Sequence, residues 1–151
     1  MARSSRSEPA LAEPWLVHYF RRHKQDDPAR AVPAREFLGA CPTEVRAHPV
    51  AVIKAVAESP PPRFGGGLQW QAMHGDMKGW FEARDRHGRW LYRVFCVLER
   101  DGAAIGLGGP SLVLITGMRK PNETAFTSRD YARVRKLGDE YRARTPRSVL
   151  R

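Results

Sequence analysis

Residues 80–102 read WFEARDRHGRWLYRVFCVLERDG, and the fold turns on how this stretch is laid out. Two runs of β-forming residues, 80–85 and 90–99, flank Arg86, His87, Gly88 and Arg89, a connection of the length that hairpins use. Successive side chains on a strand point to opposite faces, so Trp80, Glu82 and Arg84 share one face and Phe81, Ala83 and Asp85 the other. In the second run Leu91, Arg93, Phe95 and Val97 alternate with Trp90, Tyr92, Val94, Cys96 and Leu98. Arg93 is therefore a charge inside a hydrophobic strand. A buried, unpaired guanidinium is very costly, so Arg93 must pair with an acid such as Glu82 or point into a groove.

Downstream, LVLITGM at 112–118 is apolar at successive positions, the pattern of a strand buried on both faces near a sheet's centre. With the hairpin it predicts an antiparallel meander. Thr127 and Asp130 then form a T-x-x-D pair that opens a helix running to about Arg144. Tyr131, Val134, Leu137 and Tyr141 fall on one face of that helix, while Arg129, Arg133, Arg135, Lys136 and Arg142 occupy the rest.

Upstream, WLVHYF at 15–20 predicts a first strand. Pro33 suits the first turn of a helix that carries Phe37, Leu38 and Cys41 on one side and stops at Pro42. A second helix follows with Thr43 as N-cap and with Val50, Ile53 and Ala57 at helical spacing up to Ser59. Pro49 demands a late start or a kink in it. Residues 60–79, with three prolines and five glycines, read as a connection, since no GK[ST] follows Gly65, Gly66 and Gly67 to make a phosphate cradle. The expected architecture is α+β in the order β-α-α-β-β-β-α. A two-helix hairpin and the C-terminal helix would pack on a small, mostly antiparallel sheet. Residues 1–13 read as a disordered extension, 14–145 as the domain and 146–151 as a loose basic tail.

A chain of 151 residues, 42% hydrophobic, suffices for one core. No apolar run approaches the roughly 20 residues that span a bilayer, and MARSSRSEPALAEP lacks a secretory apolar stretch, so a cytoplasmic protein without membrane partners is expected. Cys41 and Cys96 read as buried free thiols. His18, His23, His48, His74 and His87 lack the short spacings of structural zinc sites, and neither metal nor other cofactor is expected. The net charge of +10 favours a polyanionic partner. Residues 119–151 supply +6 of it, from ten Lys/Arg against four acids.

The blocks WFEARDRHGRWLYRVFCVLERDG and LVLITGMRKPNETAFTSRDYARVRKLGDEYRAR resemble the RelE/ParE superfamily, particularly its HigB-like, phage-associated branch of type II toxins. The residues carrying the resemblance are Glu82 and Arg84, then Tyr92, Arg93 and Val94, then Gly117, Arg119 and Lys120, and the helix containing Tyr131. It covers about 65 residues, and its specificity lies in the order and spacing of motifs that are individually weak. It implies a metal-independent endoribonuclease, an mRNA interferase that cuts message on the ribosome and is silenced by a helix-turn-helix, HigA-like antitoxin.

In that chemistry a ribose 2′-hydroxyl attacks the adjacent phosphorus, and cationic donors must stabilise the charge that grows on the phosphate oxygens. The resemblance then assigns Arg84 and Arg93 to the scissile phosphate, Arg119 or Lys120 to its assistance or to the leaving oxygen, and Glu82 to the role of base or orienting partner. Tyr131, with Arg129, Arg133 and Lys136, would contact RNA. Two departures from the family pattern stand out. No histidine occurs at the end of the last strand or in the final helix, leaving only the distant His87, and the connection 101–110 is long. A ParE-like inhibitor that binds gyrase without cutting RNA, and a non-catalytic nucleic-acid-binding phage protein, are the alternatives, since a shared fold does not fix function.

Overall fold

A computed structural model describes residues 13–59 and 69–151. The chain runs β1 (Leu16–Phe20), α1 (Pro33–Ala40), α2 (Thr43–Glu58), β2 (Trp70–Ala72), β3 (Trp80–His87), β4 (Trp90–Glu99), β5 (Ser111–Pro121), α3 (Ser128–Arg142) and β6 (Val149–Leu150). One sheet takes all six strands in the order β2-β3-β4-β5-β1-β6. Its neighbours are antiparallel except β1 and β5, which run parallel.

The expected order β-α-α-β-β-β-α is overturned by this topology. β2 lies in the segment whose glycines and prolines read as a connection, and three residues are too few to show a two-residue period. β6, within the tail read as loose, pairs with β1 through Tyr19 opposite Leu150 and Phe20 opposite Val149. The sheet is thus larger than expected, and mixed. Helices α1 and α2 are joined only by Cys41 and Pro42, and each packs on the sheet: α1 over β5 and β1, α2 over β1, β2 and β3. Thr43 is the first residue of α2 and not its cap, and the helix continues through the buried Pro49. The expectations for residues 1–12, and for the prolines and glycines at 60–67, lie outside the described residues.

The alternation of side chains sorts the core into two layers. Ala83, Val94, Cys96, Leu112 and Leu114 face Ala34 and Leu38 of α1 and Val52, Ile53 and Val56 of α2. Trp80, Phe95, Val97, Val113 and Ile115 face Val134 and Tyr141 of α3. Leu112, Val113, Leu114 and Ile115 are buried in sequence, so β5 is covered on both faces. The two cysteines are free thiols, both buried. Among the described residues no helix is long and apolar enough to cross a membrane.

β5 is irregular where it pairs with β4. Opposite β4 the register steps from Phe95↔Thr116 to Cys96↔Leu114, leaving Ile115 as an extra residue. A bulge of this kind reverses which face later side chains take.

Helix α3 sits close to the sheet because Gly138 meets the Trp80 ring, leaving no space for a Cβ. Trp80 is 3% exposed and its ring cannot swing away into solvent. Alanine in place of an exposed helical glycine ordinarily stabilises by about 1 kcal/mol. Overpacking a filled contact costs about 1–3 kcal/mol. Gly138→Ala is therefore expected to lower the thermal unfolding midpoint, and a raised midpoint would show that the ring contact is slack.

Candidate anion site beside α3

Arg84 and Arg93 are direct cross-strand partners in the β3–β4 register. Like charges placed opposite each other are destabilising, so the pair needs an anion. One is present. Glu82, two residues back along β3, places Oε1 3.5 Å from Nε of Arg84 and Oε2 3.7 Å from Nε of Arg93. Arg84 also donates to Oε1 of Gln71 on β2 at 2.8 Å, and Arg93 to the Tyr92 carbonyl at 3.0 Å. Two guanidiniums thus share a single carboxylate.

The environment is half dry. Side-chain exposure is 9% for Arg93, 13% for Glu82 and 39% for Arg84, so Arg84 is the cation that reaches solvent. Burial pushes the Glu82 carboxyl above its ordinary value, with Arg93 and Arg84 opposing that shift. Burial and the repulsion of Arg84 lower Arg93, with Glu82 opposing. Oε2 of Glu82 is buried and has no hydrogen-bond donor among the described residues, since the contact to Arg93 is too long for one.

The N-terminus of α3 forms the wall opposite. Thr127 caps the helix, its hydroxyl accepting from the Asp130 amide at 3.2 Å while the Asp130 carboxylate accepts from the Thr127 amide at 2.8 Å. Phe126, before the cap, stacks on Tyr131, the fourth helical residue, with centroids 6.3 Å apart. This is the hydrophobic staple that accompanies a capping box. The staple also serves the site: the Arg93 guanidinium lies 5.5 Å from the Phe126 centroid, and both rings meet Phe95 edge-on. Burial and the nearby Glu82 raise the Tyr131 phenol, with Arg93 and Arg84 opposing, and this keeps it protonated.

Two clefts flank the cluster. One, of 360 Å³, is lined by Gln71, His74, Glu82, Ser128, Tyr131 and Arg135 among others; the second, of 430 Å³, by Gln69, Arg84, Asp85, Arg86, Leu91 and Arg93. Both are of a size that admits a nucleotide.

The structure brings together Glu82, Arg84, Arg93 and Tyr131 of the residues singled out in the sequence. It separates Arg119 from them. Beyond the bulge Arg119 pairs with Tyr92 and turns to the α1 side, where its guanidinium covers the Trp90 ring at 4.2 Å. Lys120 takes the site face, but its ammonium is bound to Asp130 at 2.5 Å, which makes it a clip on the helix start more than a free cation. Arg129, Arg133 and Lys136 are exposed along α3 and do not line either cleft. Gln71 and Phe126 were not singled out in the sequence, and Arg135 only as one of the basic residues of the helix. Phe126 was discoverable as the residue before an N-cap; Gln71 was not, because it sits on the three-residue β2. Among the described residues no group of three or more His, Cys, Asp or Glu could hold a metal ion.

No protein-family model matches the chain, and no curated protein and no solved structure matches it.

Glu82→Ala leaves Arg93 buried without its carboxylate, a loss expected to cost about 3 kcal/mol in urea unfolding. Arg84→Ala removes the exposed cation and relieves the Arg–Arg repulsion, so it is expected to change stability by under about 1 kcal/mol. Equal costs for the two variants would contradict this division of labour.

Proposed function

We propose that the chain is a metal-independent endoribonuclease of the toxin type its motifs resemble, and that Arg84 and Arg93 bind the phosphodiester it cuts. The observation that carries the reading is the pair of opposed guanidiniums with one shared carboxylate, an arrangement that a phosphate oxygen completes. Arginine forks bind phosphate in a bidentate manner and stay charged while they do so. The protein supplies this charge before the reaction begins, so little reorganisation is needed as negative charge grows on the non-bridging oxygens.

Glu82 supplies the base. Its ionised carboxylate takes the proton of a ribose 2′-hydroxyl, the 2′-oxygen bonds to phosphorus, and the bond from phosphorus to the 5′-oxygen breaks. Tyr131 faces the same cleft as Glu82 and carries the phenolic proton that the departing 5′-oxygen needs. The products are a 2′,3′-cyclic phosphate and a 5′-hydroxyl end, and solvent resets the two side chains. The Phe126–Tyr131 stack offers a ring face to the flanking base. A raised carboxyl suits this task, because a base works best when its pKa approaches the operating pH.

The test uses the purified full chain with ribosomes and a defined message, and maps cut sites by primer extension. Arg93→Ala is expected to reduce cleavage by about 10²–10³-fold and to keep the fold, since Glu82 is left with Arg84 and can take up a proton. An Arg93→Ala protein that cuts at the parental rate would sink the assignment.

The pH dependence has a definite sign. Glu82 must be ionised, so the rate rises with pH through a midpoint above 4.5, the ordinary glutamate value, because burial raises it. Glu82→Gln is expected to remove that acid limb and to lower the rate by about 10²–10⁴-fold.

A further inference from the structure

A third cleft, of 680 Å³, opens at the far end of α3, lined by His23, Arg30, Arg144, Arg147 and Ser148 among others. The 15 residues of α3 place it roughly 20 Å from the first site. Three guanidiniums and an imidazole border this cleft, and among the described residues no carboxylate does. The neighbouring acids are already engaged. Asp26 accepts from Arg144 at 3.2 Å, Asp27 accepts the amides of Ala29 and Ala31 at 3.1 and 2.9 Å, and Glu140 takes Arg22 at 2.7 and 2.9 Å.

Several groups at this cleft are short of acceptors. Nε of Arg30, Arg144 and Arg147 and Oγ of Ser148 are buried with no hydrogen-bond partner among the described residues. Buried donors in folded proteins almost always find an acceptor, so four in one place call for an explanation. Arg30 adds a second. It stands at φ +51, the one non-glycine residue with positive φ among those described. Backbone of that kind costs energy and concentrates at binding sites. Arg147 is held in place at the wall, donating to the Arg142 and Arg144 carbonyls at 3.1 and 2.7 Å, which satisfies the end of α3 and fixes its charge at the cleft.

We propose that this cleft is a second phosphate-binding site, taking one phosphate of a nucleic-acid strand, either a 5′-terminal phosphate or a backbone diester. Phosphate fits because its oxygens are strong acceptors and because three guanidiniums border the cleft, of which Arg144 is paired with Asp26 while Arg30 and Arg147 have no carboxylate partner among the described residues. Arg129, Arg133 and Lys136 recur at i, i+4 and i+7 as an exposed basic stripe along α3 between the two sites. A strand bound at both ends would follow that stripe, and only this anchoring of substrate RNA rests on the function proposed above. Phosphate binding at the cleft stands without it.

The test follows backbone amides of the full chain by NMR during titration with inorganic phosphate. Short RNAs with 2′-O-methyl riboses, which lack the attacking hydroxyl, are then added with either a 5′-phosphate or a 5′-hydroxyl end. Amides of Arg30 and Ser148 are expected to shift with phosphate. Arg30→Gln is expected to weaken RNA binding about tenfold, the effect of losing one charge-assisted contact. It should also reduce the slope of log affinity against log salt by about 0.7. Lys54→Gln, on the exposed face of α2, serves as the control and is expected to change neither.

Tighter binding of the 5′-phosphate RNA identifies a terminal phosphate as ligand, and equal binding identifies a diester; either supports the site. Unshifted amides, or an Arg30→Gln protein that binds as the parent does, overturn it. Arg84→Gln separates the two readings. Loss of cleavage there, with phosphate still bound at the cleft, upholds both; parental cleavage by Arg84→Gln counts against the first site alone.

Discussion

β5 is hydrogen-bonded on both sides and buried on both faces, and everything else in the molecule is arranged to make that possible. A strand of this kind cannot contact water anywhere along its apolar run, so each face of the sheet must be roofed. α1 and α2 cover one face and α3 the other. The parallel pairing of β1 with β5 requires a long crossover, and the chain spends it on two helices and the three strands that complete the meander. The last strand, β6, then closes the exposed edge of β1.

The roof formed by α3 ends where the sheet still has polar side chains to present. Trp80, Phe95 and Val97 lie under the helix, but Glu82, Arg84 and Arg93 occupy the same face beyond its first turn. This explains how charged residues come to stand on strands that otherwise build a core: the sheet is longer than the helix that covers it. The capping box and its staple fix where the cover stops, so the residues that begin the helix also bound the site. Burial is then graded from Arg93, which is almost covered, to Arg84, which reaches solvent.

Much of this was legible in the chain. The alternation in WFEARD and LYRVFCV placed Glu82, Arg84 and Arg93 on one surface, because a two-residue period leaves little freedom once Trp80 and Phe95 go inward. The boundaries of β4 and α1 and the capping of α3 were equally readable, since each rests on local chemistry. β2 and β6 were not. Strands of three and two residues carry no period of their own and form because a neighbouring edge is available, a fact of tertiary structure. Arg119 was misplaced for a different reason: its face depends on an extra residue in β5, and nothing in LVLITGM marks Ile115 as that residue.

That extra residue has a consequence for how such a site could change. Without the step at Ile115 the alternation would carry Arg119 onto the face of Arg93 and send Lys120 to the α1 side. The two cations are adjacent in the chain and differ in kind, one a planar fork and the other a compact point charge. A β5 of the same length that ran past Ile115 in unbroken alternation would therefore exchange the chemistry offered beside α3 while every residue of the cluster itself stayed the same. The identity of that cation is a matter of counting along a strand, and it is decided at a bulge several residues away from the groove.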